Sequence, residues 1–233
     1  MYISYEAGDI LPEGTRGWLH SMEPIVDKTS RAKERNNLTI KKPVQSIIEN
    51  ITKEALLQGV DPFAPLAIAH KEGGFGTIRQ KGHSAVEDYT NPMHVNPSKE
   101  GLKRMMADFH SNRNSNPLYH EAVIGLRDPN LGKHYSQVLE DVSREAEQRA
   151  SIKEGIKYYK DNLDLNEGSM WHGLRNYNGA GPRAREYAGH VSELHENLKK
   201  NNPHVVDMVS RITEEFNKSK KAARPDTSIY GAF

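Results

Sequence analysis

A single glutamate, Glu72, stands where this sequence favours a carboxylic acid that keeps its proton. An apolar run at residues 66–69, predicted to be helical, comes before it, and Gly73-Gly74 directly after it end the helix. We therefore predict that Glu72 lies in the last helical turn, where the negative end of the helix dipole disfavours a carboxylate. Burial against apolar neighbours such as Phe75 would act in the same direction. A carboxyl held neutral in this way offers general-acid chemistry.

The helix that must position Glu72 carries its own start signals and its own counter-charges. Asp61 is typical of a helix cap, and Pro62 suits the first helical position. His70 and Lys71 come just before the glutamate, and a positive charge on either would lower its pKa. The net shift in the pKa of Glu72 therefore depends on where these two side chains point.

A second candidate site element runs from Arg175 to Pro182, where a short helix leads into a glycine-rich turn. Tyr177 offers a hydroxyl on an aromatic ring, and Asn178 offers both a donor and an acceptor. This combination suits a sugar. The alternative is structural, with Tyr177 at the edge of the core and Asn178 as a helix C-terminal residue before glycine.

Composition excludes several classes of function. The 233 residues include 32 Lys and Arg against 31 Asp and Glu, so charge gives no argument for nucleic acid as a partner. The absence of cysteine excludes disulfides and thiolate metal sites. No apolar run approaches the roughly 18 residues of a membrane span, and the start lacks a secretory signal pattern. The eleven histidines show no metal-binding spacing, with His190 and His195 five apart, so we expect neither a metal nor a cofactor.

The chain divides into a polar start, a helical body and a basic end. Residues 1–40 show no sustained period and are predicted to form an N-terminal arm or docking segment, and residues 218–233 a C-terminal tail. Residues 41–217 are predicted to form one mainly α domain with a small irregular or β-hairpin lobe between Gly73 and Pro97. Beyond the two helices that lead to Glu72, helices are predicted near 99–111, 117–125, 134–149, 152–164, 169–178, 183–199 and 203–219.

Four motifs follow in an order that is typical of one family. Residues 60–75 lead into Glu72, and residues 91–97 read Asn-Pro-Met-His-Val-Asn-Pro. Residues 152–159 carry a glycine and two tyrosines, and residues 176–181 read Asn-Tyr-Asn-Gly-Ala-Gly. In turn, these resemble the catalytic-glutamate helix, the Gly-Leu-Met-Gln motif, the helix with a Gly and a Tyr-Leu pair, and the Ala-Tyr-Asn-Ala-Gly signature of the soluble lytic transglycosylase domain.

The resemblance covers residues 43–198, apart from an insertion at about 98–150, and is greatest to virion-associated bacteriophage members of the family. It implies a lysozyme-like helical fold, related to goose-type lysozyme. It also implies that Glu72 is the catalytic residue and that Met93, His94, Tyr177 and Asn178 line a groove for peptidoglycan glycan strands. The acid would protonate the bond between N-acetylmuramic acid and N-acetylglucosamine and then take the proton of the muramic acid's 6-hydroxyl, which closes a 1,6-anhydro ring. Tyr177 is expected to hydrogen-bond near Glu72 or the muramic acid.

The part played by water stays open, because a second carboxylate would allow hydrolysis. Inverting glycosidases place a second carboxylate roughly 6.5–9.5 Å from the acid to activate water. Glu87 and Asp88 lie in the loop before Met93 and are the candidates, although adjacent acids in a polar loop are ordinarily solvated. Both a lytic transglycosylase and a lysozyme are therefore compatible with the sequence.

Three hypotheses follow, from different classes. The first is a peptidoglycan-cleaving enzyme in a phage virion or tail, acting in the host periplasm or cell wall, with residues 1–40 and the tail docking to other virion proteins. The second is an endo-N-acetylglucosaminidase, because residues 72–76 also resemble the Glu-Ser-Gly-Trp-Gly of that group. The third is a non-catalytic virion protein with a lysozyme-like fold, because Gly73 replaces the family's usual Ser and His94 its usual Gln.

Overall fold

Helices form nearly all of the described chain. The structure is a computed structural model that describes residues 42–73, 75, 89–128 and 130–222. The mainly α class is thereby confirmed. In chain order the helices are α1 Lys42–Gln58, α2 Phe63–Gly73, α3 Lys99–Asn114, α4 Pro117–Gly125, α5 Gly132–Asp164, α6 Met170–Asn178, α7 Pro182–Asn201 and α8 Pro203–Ala222.

Parts of the predicted organisation fall beyond these residues. The arm at 1–40, most of the irregular or hairpin lobe (74 and 76–88) and residues 223–233 of the tail lie outside the described residues. The last helix runs to Ala222, so the first five residues of the predicted tail are helical. None of the helices in the described part of the chain is both long and apolar enough to cross a membrane.

The helix α2 is short and buried along most of its length. As predicted, Asp61 caps its start, because the backbone N–H of Phe63 donates to Oδ1 of Asp61 at 3.2 Å. Leu66 and Ile68 are fully buried, and each contributes about 1.5–3 kcal/mol through its removal from water. The helix packs against α1 and α7, so a residue in its last turn is held by a fixed element.

The core lies around α1, which contacts α2, α5 and α8. Apolar residues at helical spacing on these elements face one another, as their spacing in the sequence predicts. The largest fully buried side chains described are Ile47, Ile48 and Ile51 on α1, Leu66 and Ile68 on α2, Ile152, Ile156 and Tyr159 on α5, Leu174 on α6, and Phe75 and Met93 in the loops.

The long helix α5 corrects a prediction. It runs unbroken for 33 residues, whereas two helices with a break at 150–151 were expected. Ala150 and Ser151 are both buried in the interior, where neither residue type stops a helix. The hydroxyl of Ser151 donates to Thr90 O at 2.6 Å and to Gln148 O at 2.9 Å, so it is satisfied without a break in the helix.

The predicted insertion, residues 98–150, forms α3, α4 and the first half of α5. Both shorter helices pack on α5. Arg104 on α3 donates to both carboxylate oxygens of Glu154 on α5, at 3.1 and 2.5 Å. Gly101 lies under this pair, since a Cβ there would come within 2.5 Å of Glu154 Oε1. The insertion is thus attached to the helix that also supports the loop containing Met93.

Candidate active site

The carboxyl of Glu72 lies in the last turn of α2, as predicted, and is largely but not fully buried. Its side chain is 19% exposed. Oε1 accepts a hydrogen bond of 2.7 Å from the hydroxyl of Tyr187 on α7. Oε2 lies 3.8 Å from Nδ1 of His94, which comes from the loop before α3. Three separate segments of the chain therefore meet at this one acid.

The pKa of Glu72 is raised above its ordinary value. Burial is the main cause, and the hydrogen bond from Tyr187 and the charge of Lys71 oppose it without cancelling it. Glu72 also sits at the negative end of α2, which favours the neutral acid. His70 adds no positive charge that would lower the pKa of Glu72. Burial, and secondly the charge of Lys71, holds the pKa of His70 well below its ordinary value, so the imidazole stays neutral.

The side chains of Lys71 and Glu72 both contact α7, at two neighbouring turns of that helix. Nζ of Lys71 lies 3.4 Å from Nδ1 of His190, one turn after Tyr187. Burial lowers the pKa of Lys71, although the charge of Glu72 opposes this shift. The end of α2 is therefore fixed to α7 at two consecutive residues.

The loop that brings Met93 and His94 to the site is closed by one asparagine. The side chain of Asn91 accepts from Val95 N at 3.0 Å and donates to Val95 O at 3.1 Å. Asn91 O also accepts from His94 N at 3.0 Å. Met93 is fully buried below this turn.

Two residues beside Glu72 adopt the left-handed backbone region that usually favours glycine. His94 has φ +48° and Phe75 has φ +58°, and in the described chain only Glu167 joins them among non-glycine residues. Such conformations cost free energy and persist where the surrounding structure fixes them, often at functional sites. Each lies in a loop that shapes the surroundings of Glu72.

Helix α5 supports the Met93 loop at Gly155. A Cβ on Gly155 would lie 2.7 Å from Val95 Cγ2 and 3.0 Å from Met93 Sδ. Only a glycine allows the loop to approach the helix this closely. Nearby, Gln148 and Ser151 of α5 donate to the carbonyls of Tyr89 and Thr90, at 2.9 and 2.6 Å. The position of the loop is thus set by α5.

Tyr177 on α6 reaches the same loop. Its hydroxyl donates to Met93 O at 2.9 Å rather than to Glu72. Its ring stacks on Tyr187, with centroids 6.3 Å apart and planes 15° apart, and also contacts Tyr158 and Tyr159. Burial and the charge of Glu72 raise the pKa of Tyr177 well above its ordinary value, so the phenol remains a donor. Tyr187, which follows on the next helix, makes the bond to Glu72.

The remaining predicted site residues are Asn178 and the two acids Glu87 and Asp88. Asn178 is exposed at the C-terminal end of α6, one residue beyond Tyr177. Glu87 and Asp88, the possible second carboxylate, lie outside the described residues. The structure therefore brings together Glu72, Met93, His94 and Tyr177.

Tyr187 is the main residue that sequence reasoning missed. It lies at 187 in a stripe with Ala188, Val191 and Leu194, and these apolar residues face the core. A tyrosine in such a stripe has a hydroxyl that needs a partner when buried, and that is the signal that would have singled it out. Its partner could be found only from the packing of α7 on α2.

The described residues contain no group of three or more His, Asp or Glu side chains placed to hold a metal ion. The described site places the carboxyl group of Glu72 beside the hydroxyl of Tyr187 and the imidazole of His94. Comparison with models of protein families, with curated proteins and with solved structures finds no match to this chain.

Proposed function

We propose that this chain is a peptidoglycan-cleaving enzyme of the lysozyme-like, soluble lytic transglycosylase type, with Glu72 as both its acid and its base. The bond cut is the β-1,4 bond between N-acetylmuramic acid and N-acetylglucosamine, and the product carries a 1,6-anhydro ring. The four ordered motifs, the last of which contains Tyr177, support the family assignment. The surroundings of Glu72 support its role.

One observation carries the proposal. A carboxyl with a raised pKa lies at the end of a buried helix, yet 19% of its side chain stays accessible. Glycosidases need such an acid, because the leaving oxygen must be protonated as its bond to C1 breaks. Among the described residues, burial raises the pKa of Glu72, and Tyr187 and Lys71 oppose the shift. A partly accessible carboxyl whose pKa is raised in this way is suited to act as the acid of the proposed mechanism.

The proposed cycle uses the two protonation states of Glu72 in turn. The carboxyl gives its proton to the glycosidic oxygen, the C1–O bond breaks, and positive charge develops at C1. The carboxylate then takes the proton of the 6-hydroxyl of the same sugar, and O6 bonds to C1 to close the anhydro ring. Glu72 ends protonated again. Tyr187 keeps Oε1 in place, while Tyr177 holds the wall formed by the Met93 loop.

The proposed setting is a phage virion or tail, from which the enzyme acts on the host cell wall. The resemblance to virion-associated members supports this setting. Residues 1–40 and the tail that begins at 218 are then the segments that dock to other virion proteins. The exposed lysines at the end of α8 give that end a surface suited to an acidic partner.

The test is digestion of purified peptidoglycan, followed by mass spectrometry of the released ends. Wild type should release fragments with anhydromuramic ends. Glu72→Gln should lower the release rate by about 10²–10⁴-fold, the usual contribution of a general acid. Its free energy of unfolding should change by less than about 1 kcal/mol, because an amide at a helix C-terminus still accepts from Tyr187.

A matched control is Glu186→Gln, which changes an exposed glutamate beside Tyr187 and should leave release unchanged. A Glu72→Gln variant with near wild-type activity would sink the role of Glu72. Reducing glucosamine ends would instead identify an endo-N-acetylglucosaminidase. If folded wild type releases nothing, the non-catalytic virion protein is favoured.

The two acids beyond the described residues decide between transglycosylation and hydrolysis. We expect the double change Glu87→Gln and Asp88→Asn to leave anhydromuramic ends as the product, since ring closure needs no second carboxylate. If wild type instead yields reducing muramic ends and the double variant loses them, the chain is a lysozyme that activates water through one of these acids.

A further inference from the structure

A cavity that Glu72 does not line lies between α1, α3 and α5. Its volume is about 540 Å³, which falls within the range of small-ligand sites. Its walls include Asn50, Lys53 and Glu54 from α1, Asp108 from α3 and Lys153 from α5. Two of these elements, α3 and the first half of α5, belong to the predicted insertion.

The cavity continues along α3. A second cavity of about 220 Å³ is lined by Asn112 and Arg149, which also line the first one. It ends at the turn between α3 and α4, at Asn116. Together they form an elongated groove, which we call the α3 groove, and an extended chain fits such a shape better than a compact ligand does.

The α3 groove contains both positively and negatively charged side chains, and not all of them form ion pairs with described residues. Nζ of Lys153 pairs with Asp108 at 2.7 Å. Lys53 is exposed and forms no ion pair with a described residue. Burial raises the pKa of Glu54, the charge of Asp108 adds to the shift, and Gln58 and Lys153 oppose it. A bound ammonium group would therefore be stabilised beside Glu54 and Asp108, and a bound carboxylate beside Lys53.

The uncharged walls suit a peptide better than a sugar. The amides of Asn50, Gln58, Asn112 and Asn116 can both donate to and accept from a peptide backbone. No aromatic ring is among the described residues that line either cavity, so these walls offer no ring for a sugar face to stack on. Leu57 adds an apolar side chain that is 66% exposed.

The α3 groove is also connected to the Met93 loop through one buried residue. Asn50, in the groove, donates to Gln148 Oε1 at 3.1 Å, and Gln148 donates to Tyr89 O at 2.9 Å. Gln148 is fully buried, so this link is shielded from water. The groove and the site share the helix α5, which presents Arg149 and Lys153 to one and Ser151 and Gly155 to the other.

We infer that the α3 groove binds a peptide carrying both carboxylates and an ammonium group, and that its natural ligand is the stem peptide of peptidoglycan. The identity of the natural ligand rests on the proposed function. In the bound state, a peptide carboxylate pairs with Lys53 and a side-chain ammonium lies between Glu54 and Asp108. The amides of Asn50 and Asn112 bond to the peptide backbone.

The test uses the full chain and a peptide without sugar, L-Ala-γ-D-Glu-meso-diaminopimelate-D-Ala. Calorimetric titration should give saturable binding, and amide chemical shifts should change around Asn50, Lys53, Asn112 and Arg149. Lys53→Ala should weaken binding about tenfold, the effect of one lost charge-assisted bond. Lys103→Ala, which changes an exposed lysine of α3 outside the groove, is the matched control and should bind like wild type.

A second comparison tests the ammonium contact. Acetylation of the free side-chain amine of the peptide should weaken binding to wild type about tenfold, but should cause no further loss with Glu54→Gln. Lys53 is exposed, so its variant provides the test even if the half-buried Glu54 does not tolerate replacement.

Absence of saturable binding, or shifts confined to the surroundings of Glu72, would overturn the inference. So would groove shifts caused by a chitin oligosaccharide and not by the peptide, which would make the groove a glycan site. The probe has no glycosidic bond, and its result is therefore independent of cleavage. If peptidoglycan digestion fails but the peptide binds, the proposed function is wrong and the groove remains a peptide site.

Discussion

The protonation of Glu72 depends on its burial and on two described neighbours that oppose the effect of burial. Burial raises its pKa, whereas the hydroxyl of Tyr187 and the charge of Lys71 lower it. A general acid works best when its pKa lies near the working pH, because too low a value leaves no proton to give. The hydrogen bond from Tyr187 thus has two effects: it lowers the pKa of Glu72 and it fixes the orientation of the carboxyl.

Tyr187→Phe should therefore move the basic limb of activity to higher pH. The change removes the hydrogen bond that favours the carboxylate, so the pKa of Glu72 rises further. Since the acid must be protonated to act, activity is lost as pH rises through that pKa. In the variant, this loss begins at a higher pH than in wild type. The measurement is the pH profile of kcat/KM on soluble peptidoglycan fragments.

Tyr177→Phe is the matched control for this profile. It removes the same hydroxyl from a neighbouring stacked ring, but its lost partner is Met93 O instead of Glu72. We expect lower kcat/KM from a looser Met93 loop and an unchanged basic limb. A basic limb that moves equally in both variants would contradict a specific effect of Tyr187 on Glu72.

At this scale the sequence predicts local chemistry better than long-range pairs. The last-turn position of Glu72 followed from the apolar residues before it and Gly73-Gly74 after it. Its partner Tyr187 lies 115 residues away in the chain, and no spacing rule relates the two. No spacing rule gives the described partner of Tyr177 either: a hydrogen bond near Glu72 or the muramic acid is predicted, and in the structure its hydroxyl donates to Met93 O, 84 residues before it.

Among the elements, α5 has a strict local requirement at Gly155, where it supports the Met93 loop. Gly155→Ala should destabilise the fold by about 1–3 kcal/mol, because its Cβ would come within 2.7 Å of Val95 and 3.0 Å of Met93. The Met93 loop must move to relieve this overlap, so activity should fall as well. Urea unfolding and the peptidoglycan assay measure the two effects.

Gly189→Ala gives the opposite outcome in a comparable position. Gly189 lies inside the helix α7, and nothing lies within 4 Å of a Cβ added there. Alanine should stabilise that helix by about 0.5–1 kcal/mol, since it restricts the unfolded chain. A similar loss of stability in both variants would show that the overlap at Gly155 is not the cause.

The start of α2 depends on Asp61, which links it to α7. Oδ2 of Asp61 accepts from His195 Nε2 and from Lys199 Nζ, each at 2.9 Å. Asp61→Asn should cost about 1 kcal/mol, a modest figure because the carboxyl is 45% exposed and its ion pairs are screened. Urea unfolding at neutral pH measures this cost, and Asp164→Asn, in an exposed pair with Lys160, should change stability by less than about 0.5 kcal/mol.

The pH dependence of the Asp61 effect has a defined sign. Burial acts to raise the pKa of Asp61, but the bonds from His195, Lys199 and Phe63 N outweigh it and hold the pKa well below the ordinary range. The stabilisation is thus complete above the pKa of the unfolded chain and is lost as pH falls through the folded value. The difference between wild type and Asp61→Asn should shrink in acid, and a difference that grows in acid would contradict the ion pairs.

Helix type and order were predictable here because apolar residues recur at helical spacing, as on α1 and α8. The continuity of α5 was not predicted, since separate helices were expected at 134–149 and 152–164 and the structure joins them in one helix. Ser151 is buried and bonded to Thr90 O, and that contact depends on a loop 61 residues away. Tertiary contacts of this kind override local pattern.

At the scale of the whole molecule, α5 joins the two regions of interest. One of its faces carries Ser151 and Gly155, which fix the Met93 loop, and another carries Arg149 and Lys153, which line the α3 groove. Its first half belongs to the insertion, so the segment that departs from the family resemblance builds part of the groove. An enzyme that cuts the glycan while holding the attached peptide would use both faces together.

Stability of the whole molecule should fall as pH decreases below about 6.5, and His70 is one defined cause. Burial, with the charge of Lys71, lowers the pKa of His70 well below its ordinary 6.5, so it stays neutral in the fold and takes up a proton on unfolding. The unfolded state then binds more protons, which reduces the free energy of unfolding by up to about 1.4 kcal/mol per pH unit. Glu72 acts in the opposite sense, since its raised pKa lets the folded state bind the extra proton.

Urea unfolding at several pH values between 7 and 5 separates these two contributions. His70→Gln should remove its part of the slope, whatever its effect on stability at pH 7, whereas Glu72→Gln should make the slope steeper. His172→Gln replaces an exposed histidine on α6 and should keep the wild-type slope. A wild-type slope in His70→Gln would mean that this histidine is already charged in the fold, and the neutral, buried surroundings assigned to the end of α2 would then be wrong.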